Sequence, residues 1–449
     1  MSERTIAREA SCIRLTPDRG AAALPKKHLL KRMKTWQQLT HYAGLDWARD
    51  HHDIVVVDGQ GRIAAQFRIS HNAAGWEEFR QKIALYPAVG VVIETSQGAA
   101  VDQLLHMAGL TVYPIHPVAA QRYRERKAPT GNKTDLLDAW SLADALRLDG
   151  SQWKALQPLD PLTQELRLLC RDEMSLIEQR TALVNQLQQA LSEYYPVVLE
   201  AFDDWTRPST WAFVLEFPTP EILLKRKRSR WEKFLHKHKL WRAETAEKRL
   251  EIFARAGEFC GSPAVTAAKS LLAVTLARLL RSLQGQLDEY RSQIEKLFEQ
   301  HPDSGLFGSL PGAARYLAPR LLGEVTADTQ RFDEPQALQC LAGTSPVSYQ
   351  SGQIHKVRLR HQCSKVLRQI IHLWADCARH AAPWVQTYYQ KKREEGKSHA
   401  CALRCVGQRL LKILWKMIRT RTPYNADLHA KNQLAHGSWV LQLMSQKPA

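Results

Sequence analysis

The sequence predicts a chain of three parts: a mixed α/β domain over residues 41–155, a long helical coiled-coil region over 156–300, and a mostly α-helical domain over 301–425 followed by a tail, 426–449. Three observations carry this division. Short apolar runs with β spacing crowd the first part, leucines at heptad spacing mark the second, and residues 351–449 hold 18 basic against 4 acidic side chains. With 449 residues and 44% hydrophobic content the chain is long enough for two or three packed cores, which excludes wholesale disorder.

Residues 1–40 mix Arg, Lys, Pro and small residues without a period, and they lack the apolar run of a secretory signal. Two readings fit: a disordered basic arm, or an over-extended start with Met33 as the true first residue. From Tyr42 the pattern turns to β. Tyr42 to Trp47, Asp53 to Asp58 and Ile63 to Ser70 are short apolar runs, and Gly59-Gln60-Gly61 joins the last two as a hairpin. A helix over Ala73 to Leu85, a buried strand Val89 to Glu94, a helix Val101 to Ala108 and a strand Leu110 to Ile115 follow. The basic, turn-rich stretch between Pro117 and Lys133 predicts an exposed, mobile loop, and a last helix begins at Thr134. The order βββαβαβ and then α fits a ribonuclease-H-like mixed sheet better than a doubly wound one.

Residues 162–193 read as one helix rich in Leu and Gln. Further on, Leu276, Leu280, Leu283, Leu287, Tyr290, Ile294 and Leu297 follow 4-3 spacing, a three-heptad seam that suits either self-association or packing within one subunit. The basic runs Lys225 to Arg230 and His236 to Lys239 read as a solvated face. Leu310-Pro311-Gly312 before an amphipathic helix, Ala314 to Glu324, has the form of a turn that aims backbone N–H groups at a phosphate. Val366 to Ala378 and Ala402 to Ile418 are the clearest helices of the last part. Eight scattered cysteines without a CxxC pair point to reduced thiols, and Cys401 and Cys405, four apart with no second pair nearby, read as core.

The net charge of +18 divides into +4 over residues 1–150, zero over 151–350 and +14 over 351–449. A surplus confined to one segment suits a phosphate backbone, because each neutralised phosphate releases condensed counterions. An anionic membrane surface is the competing partner. No apolar run approaches the roughly 20 residues of a membrane span, so nucleic acid is expected and a membrane is not.

Four carboxylates stand out. Asp46 falls on the first strand in Gly44-Leu45-Asp46-Trp47, and Glu94 ends the fourth in Ile93-Glu94-Thr95. Asp135 and Asp138 open the last helix of the domain three residues apart and share a face, whereas Asp144 lies roughly opposite Asp135. In a ribonuclease-H-like sheet the first and fourth strands are neighbours and the last helix packs over them, so the four converge. Clustered carboxylates repel unless cations hold them ionised. Mg²⁺ suits an all-oxygen set, and two such ions stabilise the attacking and leaving oxygens of phosphodiester transfer. Taken singly, each residue also has an ordinary reading, as a strand-end cap or a helix N-terminal acid.

The segments GLDWA, VVIETSQG and KTDLLDAWSLADALR resemble the Asp, Glu, Asp and Asp blocks of RuvC-like "DEDD" insertion-sequence transposases, the insertion-sequence 110 and 1111 groups. LPGAARYLAPRLLGEV, RFDEPQALQCLAGTSPVSYQSG and VRLRHQCSKVLRQIIHLWA resemble that family's C-terminal transposase domain, so the likeness spans about residues 42–425. The chain departs from it where Ala313-Ala314 follows Pro311-Gly312 in place of Ile-Gly, and where Cys363 replaces a frequent glycine. The first departure bears on the phosphate-binding role of that turn.

The resemblance implies that Asp46, Glu94, Asp135 and Asp138 bind Mg²⁺ and that a serine in the block Ser348-Tyr349-Gln350-Ser351-Gly352 attacks DNA, with Ser351 chosen by alignment and Ser348 as the alternative. It further implies a bridge RNA whose loops pair with target and donor DNA, and two sites that meet across the protomers of a homodimer or homotetramer. Arg122, Arg124, Arg126, Lys127 and Lys133 in the first domain, and Lys356, Arg358, Arg360, Lys365 and Arg368 beside the serine, are the expected nucleic-acid contacts, to phosphates rather than bases. A bacterial cytoplasmic location, at the nucleoid when acting, goes with that function. Two other classes fit the residues: a RuvC-like structure-specific endonuclease that uses metal-activated water, and a non-catalytic nucleic-acid scaffold. An actin-like ATPase shares the topology, but its further Gly-rich phosphate loops are missing.

Overall fold

The computed structural model describes residues 34–96, 98–328 and 331–445; residues 1–33 of the expected arm, with the alternative start at Met33, lie outside the described residues, whereas its last residues pack on the first domain, Trp36 Nε1 donating to the Leu146 carbonyl at 2.8 Å and Leu39 buried. The chain divides at residue 160 into two compact units.

The first unit is a five-stranded mixed sheet with helices on both faces. Strands β1 (His41–Trp47), β2 (His51–Asp58) and β3 (Ile63–Ser70) form the expected antiparallel meander, while β4 (Val89–Ile93) and β5 (Thr111–Pro114) run parallel to β1, in the order β3-β2-β1-β4-β5. The β2–β3 turn is closed by Asp58, whose Oδ1 accepts from the backbone N–H of Gln60 and of Arg62, with Gly61 at φ +82°. Helix α1 (Ala73–Ile83) starts on Asn72, whose side chain accepts from Gly75 N–H, and α2 (Ala99–Leu105) covers the same face of the sheet.

Alternation along the strands sorts the core. Ala43, Leu45, Ile54, Val56, Val91 and Ile93 face α1 and α2, whereas Tyr42, Val55, Val57, Val92 and Tyr113 face the opposite layer. That layer is α4 (Asp135–Asp149), started by Thr134, whose Oγ1 accepts from Leu137 N–H at 3.1 Å. Helix α4 lies directly on β1. A Cβ placed on Gly44 would stand 1.9 Å from the carbonyl oxygen of Ala139 and 2.7 Å from the nitrogen of Ala143. Only glycine on the strand and alanine on the helix permit that approach.

The stretch after Pro117 is a helix, α3 (Pro117–Lys127), rather than the expected loop. Pro117 sits at the first turn, where its missing N–H costs nothing, and the turn residues Pro129 and Gly131 fall beyond the helix end. Contacts to α4 hold it: Tyr123 Oη donates to Asp149 at 2.6 Å, Arg124 to Asp138 at 3.0 Å, and Lys127 Nζ lies 2.5 Å from Asp144. Asp144, excluded from the acidic set, is buried among Lys127, Arg126 and Arg147.

The second unit is built on two long helices, α5 (Pro161–Tyr194) and α6 (Pro263–Gln300). They run antiparallel, since Thr163 meets His301, Glu173 meets Arg291, Arg180 meets Gln284 and Glu193 meets Lys269. The heptad seam is therefore consumed inside the chain. Leu276 and Leu280 join an aromatic-rich core with the short helices of residues 197–254, and Ile294 joins the core of the last domain, while Leu287 is buried between the two. Contrary to the reading of the sequence, α6 does have the length and mean hydropathy of a membrane span. Its buried stripe packs in this unit and its charged side chains pair with α5.

Helix α7 (Ala314–Val325) is pinned to α5 and α6 by buried charge: Glu173 accepts from Arg320 at 2.6 Å and from Arg291, and Arg171 clasps Glu324. The turn before it is no phosphate cradle. Leu310 and Ala313 are buried, and a Cβ on Gly312 would stand 2.6 Å from the backbone of Ala378, so the glycine serves close packing. Helices α8 (Lys365–Ala381), α9 (Pro383–Glu394) and α10 (His399–Thr420) complete that core, with Cys405 packed against it. Inside this mostly helical domain stands a feature the helical reading passed over, a two-stranded ribbon, β6 (Val347–Ser351) and β7 (Ile354–Arg358).

Gly44→Ala places a methyl group inside backbone atoms, where no rotamer change relieves it. The variant is expected to lose about 2 kcal/mol or more and roughly 4–8 °C of thermal midpoint, read by differential scanning calorimetry; an unchanged midpoint contradicts the intimate β1–α4 contact.

Candidate active site

The α4 side of the sheet ends in acid. In β1 the residues Tyr42, Gly44 and Asp46 share that face, and in β4 Val92 and Glu94 do, so the parallel register Leu45↔Ile93 sets Asp46 beside Glu94 at the carboxyl ends of neighbouring strands. Asp135 and Asp138 come from the first turn of α4, above them. All four line one open cleft of about 430 Å³, together with Trp47, Ala48, Pro117, Val118, Gln121, Arg124 and Lys133.

Electrostatics marks the cleft as short of positive charge. Burial, and next the charge of Asp138, push the Asp46 carboxyl up to about 6, with Asp135, Glu94 and Asp53 adding to the rise. Burial and Asp138 also raise Glu94, against the opposing pull of Arg124, Lys133 and His116. Hard carboxylate oxygens that cannot all ionise without a counter-charge are a fitting donor set for a divalent cation.

Two arginines supply part of that counter-charge. Arg124 donates to Asp138 at 3.0 Å. Arg68 on β3 clasps Asp53 with two hydrogen bonds, 3.0 and 2.8 Å, and reaches Asp135 at 3.3 Å. Asp53 escaped the reading of the sequence although it is buried and faces Asp46 across the β1–β2 pair. The signal was present in the register: a hairpin that aligns Asp46 with Asp53 puts both on one face. With His51, Asp53 and Asp135 also form a compact group whose ligand atoms lie within 4.8 Å of one another, although Arg68 fills it.

The other predicted contacts fall in two places. On α3, Arg122 and Arg126 are exposed, whereas Arg124 and Lys127 are half-buried in their carboxylate pairs; Lys133 is exposed at the cleft. In the second unit, Ser351 and Ser348 lie on β6, and Lys356 and Arg358 on β7, all exposed. Arg360 and Arg368 are engaged at the base of the ribbon: Arg360 donates to the Ser345 carbonyl at 3.2 Å, and Arg368 to the Arg360 carbonyl and to Cys363. Lys365 opens α8.

Comparison with known proteins bears on both units. A transposase model for DEDD proteins of IS110 elements matches residues 43–196, and the model "Transposase IS116/IS110/IS902 family" matches residues 304–390. A mini-circle protein of Streptomyces coelicolor, named as a candidate transposase for IS117, is 32% identical over 401 residues, spanning 87% of this chain and 97% of its own length. The 42 kDa protein of insertion element IS900 from Mycobacterium paratuberculosis is 27% identical over 86% of this chain and 97% of its own, and the 43.6 kDa protein of IS110 from Streptomyces coelicolor is 27% identical over 80% and 88%.

Asp46 ionises near 3.8 in an unfolded chain but keeps its proton to about 6 in the folded one. The cation-free fold therefore loses stability as pH rises through that window. Asp46→Asn removes the loss: in chelator at pH 7.5 its thermal midpoint is expected above wild type by roughly 2–8 °C, on the order of 1–2 kcal/mol after allowance for solvent screening, and the difference closes at pH 4. A midpoint below wild type at pH 7.5 contradicts the crowding of charge described here.

Proposed function

The chain belongs to the IS116/IS110/IS902 family of insertion-sequence transposases, and on that premise we propose that it cuts and rejoins DNA by phosphodiester transfer, with Asp46, Glu94, Asp135 and Asp138 as a Mg²⁺ site and Ser351 as the nucleophile. The observation that carries this reading is the joint placement of the four carboxylates around one cleft, where burial and then the charge of neighbouring acids raise Asp46 and Glu94. Bound there, one or two divalent ions supply charge neutralisation at the oxygens between which the phosphoryl group passes.

The protein's own groups do the rest. Asp46 and Glu94 present their carboxylates from the rigid ends of adjacent strands, Asp138 is held by Arg124, and Asp135 by Arg68. Lys133, exposed at the cleft, and Arg122, exposed on α3, are the proposed phosphate contacts. In the serine step, Ser351 Oγ bonds to phosphorus, the sugar oxygen leaves and takes up a proton, and the hydroxyl proton passes to solvent or a base. The serine–DNA phosphodiester conserves the bond for a second strand, whose hydroxyl attacks and frees the serine. The ribbon supports Ser351 over Ser348, because Ser351 shares a face with Lys356 and Arg358 whereas Ser348 stands opposite Val357 on the other face.

Guidance by a bridge RNA belongs to the same proposal, supported by the family resemblance and by the exposed arginines of α3. So does self-association as a homodimer or homotetramer. With the first seam consumed in the chain, its support moves to Val265, Leu272 and Leu279, exposed at seven-residue spacing along α6.

Ser351→Ala is expected to abolish both recombination and the covalent protein–DNA adduct trapped on a nicked substrate, while gel-shift affinity for nucleic acid stays at the wild-type level. Recombination that survives in Ser351→Ala removes the serine from the mechanism. Loss of the adduct only in Ser348→Ala moves the role to Ser348, and cleavage without any adduct in the wild type favours metal-activated water.

A further inference from the structure

Both strands of the β6–β7 ribbon are exposed along their whole length. Its tip is the two-residue loop Gly352-Gln353, with Gly352 at φ +56°. Its base is pinned, since Arg360 holds the Ser345 carbonyl, Arg368 holds the Arg360 carbonyl, and Ser364 N–H donates to Leu341. Among the described residues no sheet or helix covers it, and a two-stranded hairpin standing alone is marginal in water. The ribbon is thus an arm held stiffly at its root with both faces bare.

The register divides its side chains. Directly opposed residues of an antiparallel pair share a face, and the period is two. One face carries the pairs Val347–Arg358, Tyr349–Lys356 and Ser351–Ile354; the other carries Ser348–Val357 and Gln350–His355. Lysine and arginine stand on the first face alone. The Arg358 guanidinium lies 4.7 Å from the centroid of the Tyr349 ring, which holds its fork above the ribbon. No Asp or Glu occurs from Pro335 to Ala375, so nothing nearby in the chain answers these cations.

We propose that the Tyr349, Lys356 and Arg358 face docks on the sugar-phosphate backbone of DNA, beside the phosphodiester attacked by Ser351. The register of docking and the choice of DNA rest on the serine reading; docking of this face on a phosphate backbone does not. Lys356 stands one rung, about 7 Å, and Arg358 two rungs, about 14 Å, from the Ser351 rung. The cations thus meet phosphates spaced along a strand, and the Tyr349 ring lies against a sugar or an unstacked base. DNA is favoured over RNA because the proposed nucleophile projects from this same face.

The test uses full-length protein in the Ser351→Ala background, a labelled DNA duplex, and a labelled single-stranded RNA of equal length. With the duplex carrying a single-stranded overhang, Tyr349→Ala, and separately the double variant Lys356→Gln/Arg358→Gln, are expected to weaken binding about tenfold, and the double variant to lower the salt slope by about 2. Gln350→Ala/Val357→Thr on the other face leaves both values unchanged. Thermal midpoints of all variants stay at wild type because the altered side chains are exposed. Equal losses from the two faces, no loss from the first face, or a loss confined to RNA overturns the proposal. The serine reading fails differently: no adduct forms in the otherwise unaltered chain while the first-face variants still lose DNA affinity.

Discussion

Everything proposed for the first unit depends on how close α4 comes to β1. Where Gly44 meets Ala139 and Ala143, helix backbone touches strand backbone with no side chain between them. That contact sets the first turn of α4, and so Asp135 and Asp138, above the strand ends that carry Asp46 and Glu94. A larger residue at any of the three positions lifts the helix and opens the acidic cluster. The glycine is therefore a distance constraint on chemistry in the turn of helix just before Ala139, enforced by sterics rather than by a hydrogen bond.

The cluster costs stability, and the fold limits the cost without removing it. Arg124 neutralises Asp138, and Arg68 neutralises buried Asp53 and touches Asp135, whereas Asp46 and Glu94 are left with raised pKa values because burial and neighbouring charge both oppose ionisation. Further from the cleft the opposite choice is made. Asp144 is answered by three cations, and Glu173 by Arg291 and Arg320, so those acids fasten helices. Complete pairing marks the structural acids, and incomplete pairing marks the set suited to an external cation.

How much of this was legible in the sequence follows from range. Asp46 and Glu94 could be read because strand period and strand end are local properties, and Asp135 with Asp138 because helix spacing is local too. Asp53 and Arg68 could not, since their pairing needs the register of two strand pairs and a side-chain reach across the sheet. The α3 helix was hidden by Pro129 and Gly131, which end it rather than interrupt it. The leucine stripe was read as a coiled-coil seam; the structure packs it within the chain, where its partner α5 lies about a hundred residues away, and no periodicity names a partner. The ribbon went unread because strands exposed on both faces lack the alternation that announces a strand.

The central claim is that the carboxylates gathered by the β1–α4 contact hold a divalent cation. It is tested most directly by anomalous diffraction from crystals of the protein grown with Mn²⁺ as the Mg²⁺ surrogate. The account predicts an anomalous peak roughly 2.1 Å from carboxylate oxygens of both Asp46 and Glu94, within the cleft also lined by Asp135 and Asp138. A peak confined to the His51, Asp53 and Asp135 group, or no peak with the four carboxylates ordered, would contradict it.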